Sequence, residues 1–62
     1  MNNRMDFNEW MTQVDNWVDA IAYISVYDLP DYMFRDSYES GCTPHEIAVA
    51  VLESADYPIE LL

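Results

Sequence analysis

The residues able to do chemistry are few, and their spacing limits what they could do. Cys42 and His45 stand three apart and are the chain's only cysteine and histidine. A structural zinc site takes about four such ligands, so this pair falls short. A Cys–His nucleophilic pair is conceivable on the same residues, but no third group is evident to orient the base. The plainer reading is an exposed His45 in a helix's first turn, with Cys42 packing on Ile47 just before it. The carboxylates are spread along the chain, without an Asp-x-Asp-x-Asp loop or a His-x-x-x-His pair. A single glycine cannot build a phosphate-cradling loop. No catalytic residue, metal or cofactor is expected, and the chain reads as a non-enzyme.

Charge is the stronger feature. The 62 residues carry 12 Asp+Glu against 2 Lys+Arg, a formal net charge of −10. With 52% hydrophobic and 15% aromatic residues this is no acidic disordered tail, which would be poor in both. Two basic side chains cannot neutralise a run of phosphates, so direct nucleic-acid binding is disfavoured. The same charge opposes adhesion to anionic lipid. No apolar run reaches the roughly 18 residues of a membrane span, and the N-terminus lacks a signal-peptide pattern. One cysteine allows no internal disulfide. A cytoplasmic location in the host cell cytosol is therefore expected.

The elements that must position these residues are legible from punctuation and period. Asp6-Phe7-Asn8-Glu9 fits an acidic capping box, with Met5 and Trp10 placed as a hydrophobic staple. Behind it, Phe7, Trp10, Met11, Val14, Trp17, Val18, Ile21 and Ile24 recur at helical spacing, predicting a helix over about 7–27. Trp10 and Trp17 are expected in the core. A second, short helix over about 30–40 should follow Asp28 and Pro30, turn Met33, Phe34 and Tyr38 inward and stop at Gly41. Arg35 would pair there with Asp31 and Glu39, four residues to either side. Thr43-Pro44-His45-Glu46 opens a third helix over about 44–56, burying Ile47, Ala48, Val51, Leu52 and Ala55. Pro58 should bar its continuation, leaving residues 59–62 as a short apolar tail. The expected fold is all-α: one small helical domain over 1–62, with two shorter helices packed on a long N-terminal helix.

Within that frame the candidate site is a partner-binding surface. Asp15 and Asp19 fall one turn apart on the outer side of the first helix, where like charges cost stability. Tyr23 and Tyr27 point away from the main stripe, either as wet amphipathic tyrosines or as an interface. Asp36, Glu53, Asp56 and Glu60 have no capping role, unlike Asp6, Glu9, Asp28 and Glu46. The expected binding set is Asp15, Asp19, Tyr23, Tyr27, Asp36, Glu53 and Asp56. Its bland purpose is solubility. Its sharper purpose is to imitate duplex phosphates before a basic, nucleic-acid-binding host or defence protein. A homodimer built from exposed apolar and tyrosine residues is the alternative.

The stretch from Asp28-Leu29-Pro30-Asp31 through Arg35-Asp36, Tyr38-Glu39, Gly41, Thr43-Pro44 and Glu46-Ile47-Ala48 resembles a family of small, functionally unassigned acidic proteins encoded by bacteriophages and plasmids. The likeness covers roughly residues 10 to 55, and much of the string is helix punctuation. The family lends no activity that can be placed on single residues. It implies a mobile-element origin, and by association an inhibitor of a host or competitor protein.

Overall fold

A computed structural model describes residues 5–57. Helix α1 (Phe7–Ala22) is followed by a 3-10 turn (Val26–Asp28), helix α2 (Phe34–Glu39) and helix α3 (Pro44–Ser54). The described residues contain no strand. The α3 helix, the 3-10 turn and α2 all pack on α1, which is the floor of an all-α, three-helix fold. Pro58, the tail over 59–62 and Glu60 lie outside the described residues. No helix is long and apolar enough to cross a membrane among the described residues.

The apolar stripe of α1 supplies Trp10, Met11, Val14 and Val18 to the core. Val26 of the 3-10 turn and Ile47, Ala48, Val51 and Leu52 of α3 complete it. The described core holds no buried polar or charged residue, so it is held mainly by apolar burial and shape. One end is an aromatic corner. Phe7, Trp10 and Tyr38 pack with ring centroids 5.3 to 6.0 Å apart. The Trp10 indole N–H donates to the carbonyl of Cys42 at 3.0 Å, and the Tyr38 hydroxyl donates to that of Met5 at 2.6 Å.

The expected helix starts hold where a side chain caps them. Asp6 accepts from the Glu9 N–H at 2.9 Å, but the Glu9 carboxylate makes no return bond to the Asp6 N–H, so the expected capping box there is only half formed. Thr43 and Glu46 form a reciprocal capping box, with Pro44 in the first turn of α3. Cys42 is half-buried against the core, as expected of a residue preceding that cap. The ends of the helices follow left-handed residues. Gly41 (φ 88) closes α2, with Cys42 N–H donating to Ser37 and Gly41 N–H to Tyr38. Asp56 (φ 64) closes α3 by the same pattern, through Tyr57 to Leu52 and Asp56 to Glu53. A Schellman closure at Asp56 therefore ends α3 at Ser54, short of the expected 56.

Two further boundaries differ from expectation. The first helix ends at Ala22 rather than near 27, and Tyr23 caps it at φ 62, ψ 32, its N–H bonded to Asp19. Val26 reaches the core only if the chain reverses here, and the Asp15 carboxylate takes the Val26 N–H that a longer helix would use. The second helix begins at Phe34 rather than 30, with no side-chain cap at Met33. Leu29, before Pro30, is held extended (ψ 161), as the proline ring requires. Asp31 is therefore off the helix and out of register with Arg35, whose carboxylate partner is Glu39 at 3.7 Å. Met33 is not inward: it is 65% exposed, while Phe34 and Tyr38 are half-buried against the core.

A non-glycine residue in the left-handed region carries about 1–2 kcal/mol of backbone cost. The Tyr23 side chain is 85% exposed and offsets little of this by packing. Tyr23→Gly should raise stability by about 0.5–1 kcal/mol, read as a higher urea midpoint at unchanged slope.

Candidate partner-binding surface

The seven predicted residues are distributed over all four helical elements. Asp19 is exposed on the outer side of α1. Tyr23 caps that helix and Tyr27 lies in the 3-10 turn, 71% exposed. Asp36 is exposed in the first turn of α2, and Glu53 is exposed near the end of α3. Asp56 is exposed but has a backbone duty, since it occupies the left-handed position that ends α3.

Asp15 departs from its expected place on an open acidic face. It is half-buried, and its Oδ1 accepts from the Val26 N–H at 2.8 Å and the Ser25 hydroxyl at 3.1 Å. The Ser25 oxygen in turn accepts from the Tyr27 N–H at 3.2 Å, capping the 3-10 turn. Asp15 lies at the edge of the buried stripe, so its charge is met by two donors rather than by water alone. It fixes the turn that carries Tyr27. The sequence held one pointer to this: Ser25-Val26-Tyr27-Asp28 has the serine-then-acid spacing of a helix start.

Trp17 also departs from expectation. It is 42% exposed, whereas Trp10 is buried. Seven residues of α-helix fall about 20° short of two full turns, which rotates Trp17 toward the rim of the stripe. There its ring meets His45 of α3, centroids 4.4 Å apart. His45 is exposed on α3, as expected, but not idle.

Arg35 is held on two sides. Its Cζ lies 4.3 Å from the centroid of Phe7, and its other contact is the ion pair with Glu39. The aromatic contact was invisible in the sequence because the two residues are 28 apart, and it ties α2 to α1 through cation–π attraction. Among the described residues no other acidic side chain has an ion-pair partner. No group of three or more His, Cys, Asp or Glu side chains is placed to hold a metal among them either.

At the C-terminal end of α1 a fixed turn presents Tyr23 and Tyr27, with Asp19 one helical turn before and Asp28 directly after. All four are exposed, and they lie within ten consecutive residues. Removing the clamp separates structural from surface carboxylates. Asp15→Ala should cost about 1.5–3 kcal/mol, the range for hydrogen bonds to a charged group, with Asp15→Asn milder because an oxygen acceptor remains. Asp19→Ala should change stability by less than about 0.5 kcal/mol. Urea denaturation of the three variants checks the contrast.

Over 44 residues, 71% of this chain and 83% of the other, the sequence is 32% identical to the Gene 87 protein of Mycobacterium phage L5. No protein-family model matches the chain. No solved structure matches it either. The likeness to a phage protein agrees with the phage origin that the central motif string implied. The chain belongs to the family of the Gene 87 protein of Mycobacterium phage L5, a small phage-encoded protein.

Proposed function

We propose that this phage protein acts by binding rather than catalysis, engaging and inhibiting a basic, nucleic-acid-binding host or defence protein. The observation that carries the reading is an unbalanced charge on a folded surface. Twelve acids face two basic residues in the sequence, and Arg35 is already committed to Glu39 and Phe7. Self-repulsion of this size destabilises a small domain, so a cationic partner would relieve it. Exposed tyrosines beside exposed carboxylates supply the amphipathic contact area that protein interfaces favour. In the sharper form of this reading, DNA mimicry, the phosphate-like set is Asp19, Asp28, Asp31, Asp36 and Glu53. Asp15 and Asp56 are excluded because each has a backbone role.

Such an association forms fast and weakens with salt. Immobilised protein should capture a basic nucleic-acid-binding protein from bacterial lysate at low ionic strength and release it in high salt. An Asp19→Lys/Asp28→Lys variant should capture little. Equal capture at both salt levels, or by the variant, would sink the reading.

A homodimer is the second reading, favoured by the exposed Trp17 and Met33. Two copies of net charge −10 repel, so a dimer should appear first at high salt. Sedimentation at tens of micromolar in high and low salt decides it: a monomer in both removes the dimer.

A further inference from the structure

The turn after α1 carries two exposed aromatic rings and two exposed carboxylates within ten consecutive residues, none with a ring or ion-pair partner among the described residues. Tyr23 and Tyr27 are 85% and 71% exposed, and the ring contacts found among the described residues involve neither. Asp19 and Asp28 flank them and have no ion-pair partner among the described residues. The rings are held on a defined backbone, because Asp15 locks Ser25 and Val26 while Ser25 caps the Tyr27 N–H. Tyr23 also occupies the left-handed region, where glycine would be less strained. A strained residue with an uncovered side chain is an observation from which function can be inferred.

The described residues contain a worked instance of what an aromatic ring beside a carboxylate attracts. The Arg35 guanidinium lies over the Phe7 ring with the Glu39 carboxylate beside it. A planar guanidinium stacks on an aromatic face and forks to a carboxylate at once, whereas an ammonium is a compact, strongly hydrated point charge. Twelve carboxylates face only two arginines in the chain, so charge complementarity favours guanidinium groups brought by a partner.

We infer that Asp19, Tyr23, Tyr27 and Asp28 form an arginine-reading surface, the part of the acidic protein that contacts a basic partner. This rests on the binding function proposed above and narrows it in two ways. The contact is local to the turn after α1, and the chemistry recognised is arginine rather than positive charge in general. Asp15 is a positioning residue that holds the turn, and the acids of α2 and α3 contribute only to long-range attraction.

The test uses the whole chain with two probes, an oligo-arginine and an oligo-lysine peptide of equal length, titrated at low and physiological salt. Amide NMR shifts of the unaltered protein locate the contact, and calorimetry gives the affinities. The arginine peptide should bind about two- to fivefold tighter for each stacked guanidinium, with shifts centred on residues 19–28. Tyr23→Ser/Tyr27→Ser should erase that preference and leave weak binding of both peptides. Two matched charge removals give the control. Asp19→Asn/Asp28→Asn should weaken arginine binding more than Asp36→Asn/Glu53→Gln, which lies on α2 and α3. Equal affinity for the two peptides, or equal loss from the two charge variants, overturns the arginine surface while leaving a charge-driven binder standing. Failure of both peptides to bind at low salt overturns both.

Discussion

The carboxylate of Asp15 allows the chain to leave a helix that its own apolar period would continue. By taking the Val26 N–H and the Ser25 hydroxyl, it offers the backbone an alternative to further helical hydrogen bonds. The reversal that follows drops Val26 into the core and starts the extended run through Pro30. That run returns the chain to the other end of α1, where α2 closes over Phe7 and Trp10. From there α3 leaves Cys42 and crosses the same apolar stripe. A different exit from α1 would place neither later helix correctly. One half-buried acid therefore sets the path of the following thirty or so residues, although the binding energy of the fold resides in apolar burial.

Division of labour among the carboxylates follows from this. Twelve acids on so small a chain look interchangeable in composition, yet their environments differ. Asp6, Glu46 and Asp15 satisfy backbone N–H groups, Asp56 accepts a left-handed backbone, and Glu39 holds Arg35. Glu9, Asp19, Asp28, Asp31, Asp36 and Glu53 remain as exposed charge without an ion-pair partner among the described residues. A functional claim about charge has to rest on this smaller group. It lies partly beside two uncovered tyrosines, which is why the turn after α1 stands apart from the rest of the surface.

Local chemistry was the legible part of the sequence. Thr43-Pro44-x-Glu46, Asp6 and Gly41 each announce a helix end through neighbours three or four residues away, and each is found where its chemistry puts it, although Glu9 leaves the box at Asp6 half made. The long-helix-plus-two architecture followed from those marks and the apolar period. What stayed hidden depends on distance along the chain. Asp15 meets Val26 eleven residues on, Trp10 meets Cys42 after thirty-two, and Arg35 meets Phe7 after twenty-eight. Periodicity alone placed Trp17 inside and ran α1 past Tyr23, because a period says which face is apolar and not where its partner stops. The exposure of Tyr23 and Tyr27 was legible as a phase, but the clamp that fixes them was not.

The aromatic corner does more than fill space. The Tyr38 hydroxyl on Met5 and the Trp10 indole on Cys42 each join residues more than thirty apart. They close loops of the length that a disulfide would close in a small secreted domain, where covalent linkage removes the entropy of the open chain permanently. Here the closure exists only while the rings are packed. The segment before α1 and the start of α3 are thus fastened by the same three rings, so loosening Phe7, Trp10 or Tyr38 releases both seams together. Two distant parts of the chain are thereby coupled through one ring cluster, without a covalent bond between them.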